Sequence, residues 1–255
     1  MLKYLKLNSP KIFKNIYMNK NLKYKRILFK VSGEAMMGDQ QFGHDVKAIN
    51  KICQQIISSY ELGCEISVVV GGGNIFRGVS KASEGMERVT ADYMGMLATC
   101  INGLALQSAL EKKGIETRML SAIPINNICE PYIKRRASRH LEKKRIVIFS
   151  AGTGNPFFTT DTAAVLRAVE MNCDVILKGT QVDGVYSADP KLDPSATRYE
   201  NLRYIDLIKQ DLRVMDQTAI TLAKDNKLPI IVFSIKEENA LQQVLLGKGK
   251  FTLIN

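Results

Sequence analysis

The feature that most constrains the fold of this chain is the regular alternation of short apolar runs with amphipathic segments. The apolar runs are rich in β-branched residues and occupy positions 26–31, 65–70, 115–120, 145–150, 174–178 and 229–234. Between the first two runs, residues 45–62 place apolar side chains at helical spacing, and Gly63 follows as a stop signal. Alternating strands and helices predict an α/β fold of three layers, with helices on both faces of a mainly parallel central sheet.

Glycines follow three of these predicted strands. Ser32-Gly33 follows the first strand, three consecutive glycines at 71–73 follow the second, and Gly152 and Gly154 follow the fourth. The carboxyl ends of parallel strands lie at one edge of a sheet, where open α/β sheets bind their ligands. A glycine after a single strand is usually a simple turn. Three glycine loops at one edge therefore indicate a ligand site.

The loop at residues 152–161, Gly-Thr-Gly-Asn-Pro-Phe-Phe-Thr-Thr-Asp, connects a predicted strand to the start of a predicted helix. Its glycines allow backbone N–H groups to approach a ligand closely, and the helix N-terminus adds the positive end of a dipole. The loop is thus suited to hold an anion, and phosphate fits best.

Several charged side chains near these loops have two interpretations each. Lys30 ends the first strand among apolar neighbours, so we expect it to face the cleft as a phosphate ligand rather than solvent. Arg77 can clamp a phosphate or lie on the surface. Asp92 can cap the following helix or accept hydrogen bonds from a ribose.

The segment 177–190 is dense in turn-forming residues and follows the fifth predicted strand. Its Asp-Gly and Asp-Pro pairs can be plain turns. Alternatively, Tyr186 offers a ring face to a base, and Asp189 can accept hydrogen bonds from ribose hydroxyls.

Motifs of several enzyme classes are absent from the sequence. It contains no P-loop, no Rossmann glycine motif, no protein-kinase motif and no Gly-x-Ser-x-Gly elbow. The remaining set of Gly, Lys, Arg, Thr and Asp suits phosphoryl transfer, in which positioning and charge neutralisation supply most of the catalysis.

The net charge of +11 normally indicates nucleic acid or an anionic surface as partner. Eight basic residues and no acidic residue lie in the first 26 positions, which leaves the remainder nearly balanced. We therefore expect no nucleic-acid partner. Residues 1–22 lack the features of a secretory signal, and we expect a disordered extension or translated sequence ahead of a start at Met18. A weak amphipathic leader is the alternative.

Five cysteines, odd in number and without C-x-x-C spacing, favour a reducing cytoplasm over a disulfide framework. With only two histidines, we expect no metal site built from protein side chains. Residues 93–110 contain no charged residue, a length that raises the question of a membrane span. Their hydroxyl, amide and glycine residues instead favour a helix in the core or against another subunit.

Four segments together resemble the amino acid kinase superfamily: 30–33, 71–78, 152–161 and 182–190. Within it, the blocks 92–98, 155–160 and 214–216 are similar to those of the bacterial uridylate kinases. The match runs in register from about Tyr24 to the C-terminus. Aspartokinases share the 182–190 element, so the block Asn155-Pro-Phe-Phe-Thr-Thr160 is the discriminating one.

The resemblance implies reversible transfer of the ATP γ-phosphate to UMP, giving ADP and UDP in pyrimidine nucleotide biosynthesis. Mg²⁺ would be bound by the ATP phosphates and not by protein side chains. One kinase domain would span residues 23–255, with the acceptor site in its N-terminal part and the ATP site in its C-terminal part.

The resemblance also implies roles for individual residues. Lys30, Arg77 and Asp161 would be catalytic, with Asp161 orienting Lys30 and Asp216 as a further contact of Lys30. The ATP-binding residues would be Lys30, Val31, Ser32, Gly33, Gly73, Arg77, Thr180, Gln181, Tyr186 and Asp189. The UMP-binding residues would be Gly72, Asp92, Thr153, Gly154, Asn155, Pro156, Phe157, Phe158, Thr159 and Thr160.

Members of this family are commonly homohexamers that GTP activates and UTP inhibits, and the resemblance implies the same here. The segment that matches the GTP-associated region is Gly38, Asp39, Gln40, Gln41, Phe42 and Gly43. Gln107 and Glu111 stand where enterobacterial relatives carry basic side chains, which weakens the expectation of GTP activation. We expect the basic cluster at 134–145 to be a solvated face, with an effector or subunit contact as the alternative.

Two other functions stay open from sequence alone. One is a superfamily kinase that acts on a carboxylate or carbamate, which would need an amino-acid pocket in place of the block 155–160. The other is a non-catalytic nucleotide-binding relative, which the intact Lys30, Arg77 and Asp161 disfavour.

Overall fold

The computed structural model describes residues 22–77, 84–190, 192–212 and 214–255, so the predicted N-terminal extension lies almost wholly outside the described residues. The strands are β1 (Arg26–Val31), β2 (Glu65–Val70), β3 (Thr117–Ser121), β4 (Glu130–Pro131), β5 (Ile146–Ser150), β6 (Val175–Thr180), β7 (Val185–Tyr186), β8 (Arg198–Tyr199), β9 (Asn201–Leu202), β10 (Ile230–Ser234) and β11 (Phe251–Ile254). The α-helices are α1 (Val46–Tyr60), α2 (Arg88–Lys112), α3 (Lys134–Glu142), α4 (Thr160–Glu170), α5 (Tyr204–Lys209), α6 (Gln217–Asp225) and α7 (Ala240–Leu245), and a short 3-10 helix spans Gly33–Met36.

Nine strands form one sheet in the order β4-β3-β5-β2-β1-β6-β10-β11-β9. The strand pairs in this sheet are parallel except for β10 and β11, which run antiparallel. The predicted α/β fold with a mainly parallel central sheet is confirmed. Strands β2 to β5 lie on one side of β1, and β6 begins the other side. The strand order thus reverses between β1 and β6, which is the place where open α/β sheets form a ligand cleft.

The six predicted strands are present, and two of them have the predicted bounds: β1 and β2. The sequence interpretation missed β4, β7, β8 and β9, because a two-residue strand is too short to produce a periodic pattern. It also missed β11, whose four residues pair antiparallel with β10.

Side chains of β1 alternate between two apolar clusters on opposite faces of the sheet. Ile27, Phe29 and Val31 belong to the cluster that includes α1, and Leu28 belongs to the cluster that includes α4 and α6. Because successive strand residues point to opposite faces, Lys30 shares the face of Leu28. Lys30 therefore points toward α4, at the carboxyl end of its strand.

The predicted helix at 45–62 is α1, and Asp45 is its N-cap, accepting a hydrogen bond from the Ala48 N–H at 2.6 Å. The uncharged stretch 93–110 lies inside α2. One side of α2 packs in the core, where Leu106 and Leu110 are fully buried. The opposite side exposes large apolar residues, namely Tyr93, Met94, Leu97, Ile101 and Leu104.

Candidate active site

Two lysines and one aspartate meet at the carboxyl ends of the two central strands. Lys30 on β1 and Lys178 on β6 are register partners, so their side chains leave the same face of the sheet side by side. Asp161, in the first turn of α4, lies between them: its Oδ1 is 2.7 Å from Lys30 Nζ and its Oδ2 is 2.9 Å from Lys178 Nζ. The structure contains the contact between Asp161 and Lys30 that the predicted orienting role of Asp161 requires.

Burial and ion pairing together determine the pKa values of Asp161 and Lys178. The three side chains are only 10%, 14% and 16% exposed for Lys30, Lys178 and Asp161. Burial opposes ionisation of Asp161, but the two ammonium groups outweigh it and lower the pKa of that carboxyl. Burial also lowers the pKa of Lys178, and its attraction to Asp161 offsets this effect only in part. The ionised cluster carries one net positive charge.

Lys178 is the site residue that the sequence interpretation missed. It also donates a hydrogen bond to the Val214 carbonyl oxygen, which fixes its direction. A signal for it existed: Phe29-Lys-Val-Ser at the end of β1 and Leu177-Lys-Gly-Thr at the end of β6 each place a lysine two residues before a hydroxyl. Only the pairing of β1 with β6 brings the two lysines together.

Asp216 does not take the predicted position beside Lys30. Its carboxylate is the N-cap of α6 and accepts from the Ala219 N–H at 3.0 Å. It also accepts hydrogen bonds from the hydroxyls of Thr159 and Thr162. Asp216 thus ties the 152–161 loop to α6, and the predicted contact with Lys30 is wrong for this structure.

The 152–161 loop leads into α4 as predicted, but its cap is Thr159. The Thr159 hydroxyl accepts from the N–H groups of Asp161 and Thr162, which leaves the Asp161 carboxylate free for the lysines. Gly154 has a positive φ of 82°, and a Cβ there would lie 3.1 Å from the Ala122 carbonyl oxygen. The loop therefore needs glycine at this position both for its conformation and for its close packing.

A cavity of about 190 Å³ opens beside this loop. It collects many of the residues predicted to bind UMP, and its lining includes Gly72, Asp92, Thr153, Phe158, Thr159 and Thr160. Gly73 and Thr99 also line it. The predicted Gly154, Asn155, Pro156 and Phe157 lie in the same loop, between lining residues.

Asp92 anchors the rim of this cavity and does not cap a helix. Its helix, α2, begins at Arg88 and is capped by Glu87, so the capping interpretation of Asp92 is wrong. Asp92 Oδ2 accepts from the Phe157 backbone N–H at 2.8 Å and from Arg88 Nε at 2.8 Å. The Phe157 ring is 66% exposed and lies under the Arg88 guanidinium.

The loops after β1 and β2 pack directly on each other. A Cβ at Gly33 would come within 2.4 Å of Asn74 Oδ1, 2.8 Å of the Gly71 oxygen and 2.9 Å of the Gly73 nitrogen. Only glycine fits there, since real Cβ atoms keep more than about 3 Å from such atoms. Ser32 caps the following 3-10 helix through its side chain. The two phosphate-binding loops predicted from sequence are thus one contiguous surface.

Arg77 lies near this surface, and its side chain points to Glu34. Its guanidinium forms an ion pair with Glu34, and its Nε donates to the Gly73 carbonyl oxygen at 3.3 Å. The side chain is 58% exposed, so a phosphate can reach it.

A second cavity, of about 690 Å³, lies beside the segment that follows β6. Its lining includes three of the residues predicted to bind ATP: Thr180, Tyr186 and Asp189. The Tyr186 hydroxyl donates to Asp183 Oδ1 at 2.6 Å, which fixes the ring at the wall of the cavity. Val214, whose carbonyl receives the Lys178 hydrogen bond, lines the same cavity. The cluster is thus linked to both cavities: Thr160, which precedes Asp161, lines the smaller one, and Val214, which accepts from Lys178, lines the larger one.

Gln181 and the predicted effector segment occupy a different place. Gln181 lines a third cavity, of about 370 Å³, together with Gly38, Asp39 and Gln40. The structure thus separates Gln181 from Thr180, although the two are neighbours in sequence. Phe42 of the effector segment is 76% exposed.

The basic cluster at 134–145 is largely neutralised by acidic neighbours. Arg136 pairs with Glu130 and Arg139 with Glu142, while Arg145 Nε lies 2.6 Å from Glu116. This agrees with the expectation of a solvated face. In the described part of the chain, none of the helices combines the length and the hydrophobicity needed to span a bilayer.

Comparisons with known proteins agree with this geometry. Residues 25–234 match the model of the Amino acid kinase family. The chain is 59% identical over 233 residues to the "Uridylate kinase" of Rickettsia typhi, covering 91% of this chain and 96% of that protein. It is 59% identical to the "Uridylate kinase" of Wolbachia pipientis wMel, covering 92% of this chain and 94% of that protein.

Solved structures give the same result. The structure of UMP kinase from Bacillus anthracis superimposes with a TM-score of 0.88 at 45% identity, covering 91% of this chain and 96% of the other. UMP kinase from Ureaplasma parvum gives a TM-score of 0.87 at 39% identity, covering 92% of this chain and all of the other.

Proposed function

The chain belongs to the amino acid kinase family, and on this premise we infer that it catalyses the reversible transfer of the γ-phosphoryl group of ATP to UMP. This is the reaction of a uridylate kinase, and it serves pyrimidine nucleotide biosynthesis. The observation that carries this proposal is the Lys30–Asp161–Lys178 cluster, which is linked through Thr160 to one cavity and through Val214 to the other. Such a cluster offers two cations to a phosphoryl group in transit between two nucleotides.

Charge neutralisation is the main task of these residues. In phosphoryl transfer, negative charge spreads over the oxygens of the transferring group, and fixed cations stabilise it. Asp161 holds both ammonium groups at one place and offsets their mutual repulsion. The attacking oxygen of UMP is already anionic, so the reaction needs no general base.

We assign the smaller cavity to UMP and the larger one to ATP. Gly72, Asp92 and residues 153–160 would hold UMP, because backbone N–H groups at the start of α4 favour a phosphate. Residues 30–33 with Gly73 would hold the ATP phosphates, and Thr180, Tyr186 and Asp189 its base and ribose. Arg77 would leave Glu34 for a phosphate on binding. ATP would bring Mg²⁺ on its own phosphates.

A homo-oligomer, in the form of a hexamer, is part of this proposal, as is a cytoplasmic location. The apolar side of α2 supports an oligomer, because five large apolar residues are exposed there: Tyr93, Met94, Leu97, Ile101 and Leu104. A second copy of the same helix can cover them by two-fold symmetry. We further propose UTP as an inhibitor and GTP as an activator, the latter through residues 38–43.

A coupled assay of ADP production tests the function. UMP, CMP, aspartate and glutamate are compared as phosphate acceptors at saturating MgATP. We expect turnover with UMP, with CMP far behind and the amino acids inactive. Turnover with an amino acid instead of UMP would assign the smaller cavity to a carboxylate substrate. Folded protein without any UMP-dependent turnover would overturn the proposal. Titration of GTP and UTP into the same assay tests the two effectors.

A further inference from the structure

Two buried amides join the glycine loop after β2 to helix α2. Asn74 is 2% exposed and Asn102 is fully buried. Asn102 Nδ2 donates to the Gly71 carbonyl oxygen at 2.6 Å and to Asn74 Oδ1 at 2.7 Å. Asn74 Nδ2 donates back to Asn102 Oδ1 at 3.2 Å and to the Gly43 carbonyl oxygen at 2.7 Å. We call Asn74 and Asn102 the amide pair.

His44 completes the network from the other side. Its Nε2 lies 2.6 Å from Asn102 Oδ1. An amide oxygen only accepts, so Nε2 carries the proton and donates it. The same loop is fixed through its backbone, because the Gly43 N–H donates to the Asn74 carbonyl oxygen at 2.8 Å. Asn102 therefore uses both of its donors and two acceptor positions.

The amide pair stands where the donor and acceptor sides of the site meet. Asn74 Oδ1 lies so close to Gly33 that a Cβ there would be 2.4 Å away. One turn before Asn102, Thr99 lines the UMP cavity and accepts from the Ala151 N–H at 2.7 Å. The amide pair thus connects the loop after β1, the loop after β2 and α2.

We propose that Asn102 is a positioning residue for phosphoryl transfer: with Asn74 and His44, it holds the glycine loop 71–74 at a fixed distance from Ser32-Gly33. The inference rests on the proposed function, since it concerns the alignment of the two bound nucleotides. In-line transfer depends on that alignment, and a displacement of about 1 Å can cost about 100-fold in rate. Of the residues assigned to UMP, Gly72 lies in the loop that Asn102 holds, whereas Asp92 forms its hydrogen bonds with Arg88 and Phe157.

The test compares Asn102→Ala with a matched control, Gln55→Ala. Gln55 is also buried, at 5% exposed, and its side chain bridges the Glu237 carbonyl oxygen and the Leu241 N–H. It lines the third cavity and neither of the two cavities assigned to the nucleotides. Both variants should have a lower melting temperature than the wild type. We expect kcat to fall about 100-fold in Asn102→Ala, a larger factor than the rise in KM for UMP that displacement of Gly72 causes, and to stay near wild type in Gln55→Ala.

A second variant and a second readout keep the test decisive. His44→Ala leaves the amide pair in place, and we expect about a 5-fold loss of kcat from it, a fraction of the effect of Asn102→Ala. Should Asn102→Ala fail to fold, His44→Ala decides, and a wild-type kcat in it overturns the proposal. A kcat within about 2-fold of wild type in folded Asn102→Ala overturns it as well.

Amide hydrogen exchange separates this inference from the proposed function. Exchange at residues 71–74 should accelerate in Asn102→Ala and not in Gln55→Ala, and this measurement requires no turnover. A wild-type protein without UMP-dependent turnover would overturn the proposed function alone. Unchanged exchange at 71–74 in folded Asn102→Ala would overturn the positioning role alone.

Discussion

Lys30 and Lys178 are register partners on adjacent parallel strands, and each holds one oxygen of the same carboxylate. Two ammonium groups this close repel each other, and Asp161 makes the arrangement stable. The arrangement leaves one positive charge at the end of the sheet, at the point where the strand order reverses. The proposed reaction moves an anionic group through this point.

Removal of either lysine should lower kcat far more than it weakens UMP binding. In Lys30→Ala and in Lys178→Ala, we expect kcat to fall about 100- to 1,000-fold, because each cation stabilises charge that develops in the transition state. Steady-state kinetics give kcat, and calorimetry gives the Kd for UMP. Lys144→Ala is the control, since Lys144 pairs with Glu65 on the surface and should leave kcat unchanged.

Asp161→Ala should lower kcat to a similar degree without removing a cation. The loss arises because the two ammonium groups, without a carboxylate between them, repel each other and move apart, so that they no longer point to the same place. We expect the Kd for UMP to change by less than about 5-fold, since the UMP cavity keeps its lining. A near-normal kcat in Asp161→Ala would show that the lysines need no carboxylate between them.

The value of kcat/KM for ATP should decrease at high pH, with an apparent pKa for this decrease below the ordinary lysine value of 10.5. Burial lowers the pKa of Lys178 in the free enzyme, so this lysine loses its proton at a lower pH than an exposed one. In Asp161→Asn the attraction that raises this pKa is gone. The alkaline limb should therefore move further toward neutral pH, and a shift in the opposite direction would contradict the assignment.

Asp92→Ala should raise KM for UMP about 10- to 100-fold with a smaller effect on kcat. The carboxylate holds the Phe157 N–H at the rim of the UMP cavity, and a hydrogen bond to a charged group contributes about 1.5–3 kcal/mol. Initial rates over a range of UMP concentrations give both constants. Asp206→Ala serves as the control, because Asp206 pairs with the neighbouring Arg203 on the surface.

Gly33→Ala should destabilise the protein and abolish activity, because its Cβ would meet the Asn74 side chain and the backbone of the glycine loop. Gly95 provides the comparison, since a Cβ there meets nothing within 4 Å and the residue lies inside α2. Gly95→Ala should be neutral or stabilising by up to about 1 kcal/mol. Chemical denaturation of both variants measures the difference.

Ile101→Glu should dissociate the proposed oligomer. If a second copy covers the apolar side of α2, the new carboxylate would be buried at that interface without a partner, which is unfavourable. Val46→Glu is the control: Val46 is 72% exposed on α1, outside the apolar side of α2. Analytical ultracentrifugation of both variants gives the masses. An unchanged mass in Ile101→Glu would mean that this side of α2 faces solvent.

Local patterns predicted most of the fold. The six main strands, the helix α1 and the position of the 152–161 loop before a helix follow from hydrophobic period and turn chemistry, which act over a few residues. The same local reasoning left two interpretations of Asp92 open, and the structure removes the capping one, because the helix begins earlier and Glu87 is its cap. The family resemblance implied a contact between Asp216 and Lys30, whereas two threonine hydroxyls and a helix N-terminus hold this carboxylate.

By itself, the sequence determined that this chain builds a parallel α/β sheet with glycine loops, Lys30 and Asp161 at one edge. The tertiary structure alone decided which strand lies next to β1, and therefore that Lys178 joins Lys30 on Asp161. It likewise decided that His44, Asn74 and Asn102 meet. The physical reason is that periodicity reports how one segment is buried, whereas strand order and register result from packing of the whole sheet.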